Sequence, residues 1–462
     1  MYIDEQPDNG TFLLDRAVYT DPEIFELEMK HIFESTWIFL GLESQIAQPH
    51  DFFTTWIGRH PVIVSRGDDG QVHCVVNSCR HKGALVCHVR AGNKRVHACP
   101  YHGWTYDSSG KSISIKQEKL GAYPESFDKR DHNLAPVSVS SYRGFIFGCL
   151  NPDAPPLEKH LGDARVFLDL IVDQSPDGVE LVPGQVSFTY NANWKMQLEN
   201  CVDAYHFSST HPSFLRVVER RADRQNSSAV RSTFEYKGWE DSESAIGSFS
   251  FHEGHSMFWL RQPILEAHPL YERREELEKR VGAERTRWMF NLRNFSLFPN
   301  VQLAENAALQ MRIIRPIAVD LTEMTTYLVA PKGESPAARS HRIRQYEDFF
   351  NPSGLATPDD NVLYEHCQIG SGARTVRWSD AYSRGYKIRE AGPNKAAREL
   401  GISPAYSVAG HPEVADETLM QAAYVRWREL MPERPGTPEG KLEQQSEKKT
   451  AAKASVAVKE TL

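Results

Sequence analysis

Three cysteines and four histidines fall within CRHKGALVCHVRAGNKRVHACPYH, residues 79–102. Thiolate and imidazole are soft and borderline metal ligands, so this density points to a metal centre. Sorted by spacing they form two short chelating pairs, Cys79-x-His81 and Cys99-Pro-Tyr-His102, with 17 residues between them. A [2Fe–2S] cluster with two cysteines on one iron and two histidines on the other needs one Cys and one His from each of two loops. Neutral imidazole in place of thiolate raises its reduction potential above that of an all-cysteine cluster. The intervening ALVCHVRAGNKRVHA is expected to run out and back as a hairpin with Gly92 near its turn. That leaves Cys87, His88 and His97 off the metal. Gly83 and Gly103 follow the two pairs, where close approach of backbone to sulfide is expected to leave no room for a Cβ. The competing reading is structural zinc. Cys2His2 zinc sites usually pair like with like, C-x2–4-C and H-x3–5-H. Here each pair is mixed, which favours iron and sulfide.

A one-electron cluster alone would make only an electron carrier, but a long chain follows it. ENCVDAYHFSSTHPSF, residues 199–214, places Asp203, His206 and His211 in the pattern D-x2-H-x4-H. On a helix Asp203 and His206 lie about 60° apart and share a face, whereas His206 and His211 lie about 140° apart. The helix is therefore expected to loosen at Ser208-Ser209-Thr210 before Pro212. Two histidines and a carboxylate with the opposite face open form the facial triad that holds non-haem Fe(II). A third ligand is sought in GLATPDDNVLYEHC, residues 354–367, where Pro358 ends an extended loop and Asp359 or Asp360 opens a helix. The competing role for either aspartate is that of N-cap.

The elements around these residues can be read from periodicity. Phe25, Met29, Ile32 and Phe33 sit at helical spacing in AVYTDPEIFELEMKHIFESTW. HPVIVS, the turn GDDG and VHCVVN read as a β-hairpin, and GFIFGCL as another strand. NPDAPP punctuates the chain. VFLDLIVD and WKMQLENCVDAYHF have helical character, while QVSFTYN, MRIIRPI and MTTYLVA read as strands, the last two adjacent. Ser335-Pro336 is an N-cap and N1 pair opening a helix through Tyr346 to Phe350. The expected division is 1–37 helical, 38–152 β-rich and cysteine-bearing, 153–434 a larger α+β domain, and 435–462 a flexible polar tail.

The 462 residues carry a net charge of −8, with 40% hydrophobic and 25% charged residues. This balance, without a long basic run, argues against nucleic acid or an anionic membrane as partner. No apolar run reaches the roughly 18–20 residues that span a bilayer. The N-terminus lacks the pattern of a secretory signal. Four of the seven cysteines cluster within 26 residues, which suits a reduced cytoplasm and one metal site rather than a disulfide scaffold.

The motif C-R-H-(17)-C-P-Y-H-G-W resembles the Rieske motif in its oxygenase version. Ala84 and Tyr101 stand where respiratory Rieske proteins carry two bracing cysteines. The segment around Asp203, His206 and His211 resembles the mononuclear iron site of aromatic-ring-hydroxylating oxygenase α subunits. RIRQYEDFFNPSGLATPDD, WKMQLEN and FLDLIVDQSP look most like the benzoate/toluate/anthranilate branch. The resemblance implies a small all-β Rieske domain inserted in a larger antiparallel-sheet, helix-grip catalytic domain. It implies Cys79, His81, Cys99 and His102 on the cluster, and His206, His211 and Asp360 on Fe(II), the second aspartate of the pair being the ligand. It gives Asp203 the job of linking His206 to His102 of a neighbouring chain in a cyclic oligomer. Implied partners are a small β subunit in an α3β3 hexamer, a reductase drawing on NADH, and a ferredoxin as a further candidate. Implied chemistry is dihydroxylation of an aromatic carboxylate by O2. The other readings are a Rieske monooxygenase acting as ring hydroxylase or demethylase, and an electron-transfer or zinc-braced binding module. Met196, Asn200, Cys201, Val202 and Phe207, on the ligand-bearing helix, are candidate pocket residues, with plain core packing as the alternative for Met196, Val202 and Phe207. QLAEN (302–306) and FHEGHSMFW (251–259) are further candidate pocket segments in which this chain departs from the branch, so the particular aromatic acid is left open.

Overall fold

A computed structural model describes residues 2–223, 245–261, 266, 268–306, 308–380, 382–410 and 415–432. The expected tail at 435–462 lies outside the described residues. The expected helical opening 1–37 begins instead with two paired antiparallel strands, Ile3–Gln6 and Thr11–Asp15. Helix α1 (Pro22–Glu28) comes after them, capped by the Asp21 carboxylate and running on as a π turn through Phe33. Ile24, Phe25, Met29, Ile32 and Phe33 are all buried along it, as their spacing requires.

Next come β1 (Ile38–Leu42), β2 (Asp51–Ile57), β3 (His60–Arg66) and β4 (Val72–Val76). The expected hairpin is β3–β4, turning through Gly67–Gly70. Short strands β5 (Ala91–Asn93), β6 (Val96–Ala98), β7 (Thr105–Asp107) and β8 (Ser112–Ser114) follow. The excursion between the two ligand pairs is not a paired hairpin. Its outgoing strand β5 pairs with β2, while its return strand β6 pairs with β7. The excursion therefore ties a four-stranded sheet (β4-β3-β2-β5) to a three-stranded one (β8-β7-β6). Gly92 sits in strand opposite Phe52, not in a turn. β9 (Ser138–Tyr142) and β10 (Phe145–Cys149) then pair with each other, and β10 pairs back to β1, closing this all-β unit.

The larger unit begins with α2 (Arg165–Val172), β11 (Val179–Leu181), β12 (Val186–Tyr190) and α3 (Trp194–Asn200). Two short helices, α4 (Phe207–Thr210) and α5 (Pro212–Asp223), carry the chain on. Strands β13 (Ala245–Ser250) and β14 (Ser256–Arg261) precede helices α6 (Arg274–Val281) and α7 (Ala283–Phe290). The sheet continues through β15 (Leu292–Leu297), β16 (Val301–Glu305), β17 (Leu309–Ala318) and β18 (Leu321–Pro331). Helices α8 (Pro336–Phe349) and α9 (Thr357–Ser371), strands β19 (Glu390–Ala391) and β20 (Tyr406–Gly410), and helix α10 (Gln421–Leu430) complete it. The Ser335 hydroxyl caps α8 by accepting from Ala338 N at 3.1 Å. Among the described residues these strands form one antiparallel ten-stranded sheet in the order β11-β18-β17-β16-β15-β14-β13-β20-β19, with β12 also on β18.

Strand alternation gives this sheet two faces with separate cores. Trp259, Phe295, Leu303 and Met311 pack with α2, α6 and α7. Phe258, Leu292, Ala304 and Ile314 face the side that holds α1, α3 and α10. On that second side Glu28 of α1 is fully buried against Lys195 of α3, Nζ to Oε1 at 2.6 Å. Its carboxylate also accepts from the indoles of Trp194 (2.8 Å) and Trp427 (2.7 Å), so one buried anion joins α1, α3 and α10. Asn193 caps α3 and donates to Val319 O at 2.8 Å, locking the helix to the β17–β18 turn.

Removing one member of such a buried pair strands the other charge, at a cost of about 3–5 kcal/mol. Lys195→Met is expected to lower unfolding stability by about that amount in urea melts, and Glu28→Gln combined with it to recover most of the loss. Equal stability of Lys195→Met and the wild type would show that the pair does not hold α3.

Candidate iron centres

The two ligand loops at the tip of the β domain share one backbone plan. Gly83 N donates to Cys79 O at 2.9 Å and Gly103 N to Cys99 O at 3.0 Å. Cys79 N donates to Ala84 O, and Cys99 N to Trp104 O. Both glycines have positive φ, 74° and 70°. A Cβ at either would meet no protein atom closer than 3.7 Å, so the left-handed turn, not crowding by protein, is what asks for glycine. The paired turns bring His81 Nδ1 and His102 Nδ1 to 3.1 Å, both aimed at one point. Cys79 and Cys99 are buried behind them, while the His81 ring is exposed. The pattern suits a two-iron cluster, whose four ligands spread wider than one ion's, with buried thiolates and an outward imidazole edge. Trp104 stacks on His81 at 5.1 Å and 9°. Cys87 Sγ lies 3.5 Å from Val89 O, and His97 packs edge-on against Phe52. The motif alone did not single out Tyr106, whose hydroxyl lies 3.4 Å from Cys79 Sγ and accepts from Arg80 N. A buried tyrosine on the strand leaving the second loop is the signal that marks it.

The second centre forms where α3 stops. The helix ends at Asn200, so Asp203 and His206 are not on one continuous helix, contrary to the expectation from spacing. Asp203 instead turns the chain, its carboxylate accepting from Tyr205 N at 2.7 Å and His206 N at 3.3 Å ahead of α4. Ser208-Ser209-Thr210 do not loosen, being helical in α4; the break falls just after them, with His211 at φ −110° and ψ 39° before α5 begins at Pro212. Two interruptions, one on each side of the short α4, swing both imidazoles to the same place. There they meet Asp360 from the first turn of α9. His206 Nε2 is 3.5 Å and His211 Nε2 3.2 Å from Asp360 Oδ1. One ligand atom from each of the three lies within 4.8 Å of the others. Asn200 Nδ2 stands 3.2 Å from both His206 Nε2 and Asp360 Oδ1.

The other nitrogen of each imidazole has its own carboxylate. Asp203 Oδ2 lies 3.2 Å from His206 Nδ1, and Asp359 Oδ2 lies 3.4 Å from His211 Nδ1. An outer carboxylate fixes the tautomer of a ligating histidine and raises its basicity. Asp359 is therefore not the N-cap that its place in the sequence suggested. The helix opens at Thr357 after Ala356, without a side-chain cap. The Asp-Asp pair divides between inner and outer positions around one histidine, a division visible only once the fold is known. Met196, Cys201 and Val202 are buried in the core beside this centre, and Phe207 is partly buried with its ring 5.5 Å from His211. QLAEN contributes Ala304 to this face, while Leu303 and Glu305 point to the opposite one. FHEGHSMFW likewise sends Phe258 here and Phe251, Met257 and Trp259 away.

Electrostatics matches a cation site. Burial disfavours charge on His206, but Asp203 and Asp360 outweigh it and push the imidazole pKa up to about 10. Burial likewise raises Asp360, and His206 and His211 reverse this to hold it below the usual carboxylate range. A proton on His206 supplies positive charge where a metal would. In the metal-free chain that pairing stabilises the fold fully below about pH 6.5 and is lost as pH climbs through about 10. The donor set, two neutral imidazoles and one carboxylate, fits Fe(II). Because the proton must leave, adding Fe(II) at pH 7.5 is expected to release about one proton per iron, read by titration calorimetry in buffers of different ionisation enthalpy. Iron uptake without proton release would show that His206 is already neutral at that pH before the metal arrives.

A family described as the Rieske [2Fe-2S] domain matches residues 36–124, and one described as the ring hydroxylating alpha subunit (catalytic domain) matches residues 179–433. The chain is 40% identical to the toluate 1,2-dioxygenase α subunit of Pseudomonas putida, covering 93% of each chain. It is 42% identical to the anthranilate 1,2-dioxygenase large subunit of Acinetobacter baylyi and 41% to the 2-halobenzoate 1,2-dioxygenase large subunit of Burkholderia cepacia, covering 93% of this chain and 91% of each relative. A structure of naphthalene 1,2-dioxygenase with indole in its active site superposes with a TM-score of 0.77 at 29% identity, over 90% of this chain and 92% of that one. Among the described residues no helix is long and apolar enough to cross a membrane. With its paired Cys–His loops and its buried two-histidine, one-carboxylate group, this chain belongs to the Rieske aromatic-ring-hydroxylating dioxygenase α subunits.

Proposed function

We propose that this chain is the large subunit of a dioxygenase that adds both atoms of O2 across the ring of an aromatic carboxylate, giving a cis-dihydrodiol. The observation that carries the reading is the convergence of His206, His211 and Asp360 beside an apolar core, in a chain whose relatives act on toluate, 2-halobenzoate and anthranilate. Cys79, His81, Cys99 and His102 hold the [2Fe–2S] cluster, and the triad holds a mononuclear Fe(II). The chemistry that this iron supplies is the activation of dioxygen. Met196, Val202 and Phe207 form an apolar wall for the ring, and the Asn200 amide stands 3.2 Å from His206 and Asp360 themselves. Electrons arrive from NADH through a reductase, with a ferredoxin as a candidate intermediary, in the cytoplasm.

Asp203 joins the centres. Its carboxylate holds His206, and it sits near the surface at about one-fifth side-chain exposure, while the imidazole edge of the cluster also faces outward. That arrangement suits a ring of three α subunits, each cluster docking against the Asp203 of its neighbour, with three β subunits as the partner layer.

His206→Ala is expected to keep the cluster's visible spectrum and two cluster irons, lose the third iron and abolish turnover. Surviving turnover would remove the triad from the reaction. Turnover under labelled dioxygen should place two labelled atoms in each product, and one labelled atom would instead mark a monooxygenase. Asp203→Asn should leave both metals bound yet block single-turnover electron transfer from the cluster. Normal transfer in that variant would exclude the bridging role.

A further inference from the structure

Four lysine or arginine side chains are buried among the described residues: Lys195, Arg293, Arg312 and Arg342. Three have a carboxylate partner. Lys195 pairs with Glu28, Arg293 with Glu305, and Arg342 with Glu334 at 2.9 Å. Arg312 has none. Only its Nε is engaged, donating to Gln310 Oε1, and its guanidinium lies 5.5 Å over the Phe350 ring. Its two terminal nitrogens make no hydrogen bond among the described residues, and the residue keeps 8% exposure. A buried cation without an anion is costly, and such a position is retained where something supplies the anion.

The place of Arg312 in the sheet says what that is. In β17 it stands directly opposite Gln302 of β16 and Thr326 of β18, so the three side chains share a face. Gln302 donates to Gln197 O at 3.0 Å and Leu198 O at 3.1 Å, inside α3, the helix that leads to the iron ligands. Phe350, beneath the guanidinium, packs on Phe349 at 5.0 Å, and Phe349 lies 6.2 Å from His211. Cys201, just past α3, feels the charges of both Arg312 and Asp360. Arg293, by contrast, lies on the opposite face with Glu305. The buried amide Nε2 of Gln310, whose oxygen is already taken by Arg312, faces the Tyr346 hydroxyl without a hydrogen bond of normal geometry.

We propose that Arg312 is the specificity-determining residue that binds the substrate's carboxylate, with Gln310 beside it, holding the aromatic ring between the guanidinium and the triad. A planar guanidinium offers two parallel N–H donors to a carboxylate, and binding would complete a charge pair that the protein leaves open. Neutral arenes cannot make this pair, so the residue selects for acids. The proposal rests on the reading of the chain as an aromatic-carboxylate dioxygenase.

The test uses the holoenzyme with its β subunit and reductase. Benzoate is compared with nitrobenzene, its neutral isostere. Arg312→Gln should lower kcat/KM for benzoate about 100-fold or more, while nitrobenzene turnover stays within about 3-fold of wild type. Arg312→Lys, which keeps the charge but loses the two-pronged contact, should raise KM for benzoate about 10-fold with kcat largely kept. Equal losses on both substrates, or benzoate turnover unchanged in Arg312→Gln, would overturn the assignment. A benzoate complex of the wild type should place the carboxylate about 3 Å from an Arg312 nitrogen, whether or not the variants fold, and a carboxylate bound elsewhere would also overturn it. A wild type that oxidises neutral arenes but none of a panel of aromatic acids would instead overturn the underlying carboxylate reading, before any variant is made.

Discussion

Burial of Glu28 against Lys195 is the constraint on which the iron-bearing half of the molecule depends. A carboxylate taken wholly out of water is tolerated because one ammonium and two indole N–H groups satisfy it. Those partners come from α3 and α10, far apart in the chain. The charge therefore fixes where α3 lies and, through it, where the chain must turn at Asn200 to present His206 and His211. Glu199, one residue before that turn, extends the same logic. It accepts from the Tyr19 hydroxyl at 2.7 Å and also from Tyr424, and burial raises its pKa despite these hydrogen bonds.

The iron site carries this arrangement of buried polar groups towards function. Asp360 and two imidazoles compensate one another electrostatically, and Asp203 and Asp359 hold the far nitrogens. Five side chains from two segments about 150 residues apart thus form one network with an inner and an outer layer of carboxylate. Arg312 differs from the other buried cations in having no carboxylate partner among the described residues. Where the other three buried cations among the described residues are each paired, an open pair is a statement about ligand chemistry.

The β domain solves the opposite problem. Its cysteines are buried, yet its histidines reach the surface, so a cluster held there could exchange electrons through the imidazole edge while its sulfurs stay dry. The domain is fastened to the catalytic sheet by backbone-like contacts. The Asn300 amide accepts from Phe39 N and donates to Phe39 O, standing in for a neighbouring strand, and Arg315 stacks on Trp56 at 3.8 Å.

Much of this was legible in the residues themselves. Spacing alone proposed Cys79, His81, Cys99 and His102 over Cys87, His88 and His97, because chelating pairs are local and the ligand types are distinctive. Period-two alternation marked β17 and β18, and Ser335-Pro336 marked the start of α8. Tertiary structure decided what distance in sequence hides. The excursion after His81 joined two sheets instead of folding on itself, because β2 and β7 offered better partners than its own two strands. The helix assumed through His206 broke at Asn200, because bringing His206 and His211 to Asp360 required it. The separate duties of Asp359 and Asp360, one residue apart, followed from which carboxylate α9 turned inward. Local spacing names the groups capable of holding a metal, but burial and pairing among distant segments decide which of them meet, since a charge is kept out of water only where the fold brings its counterpart.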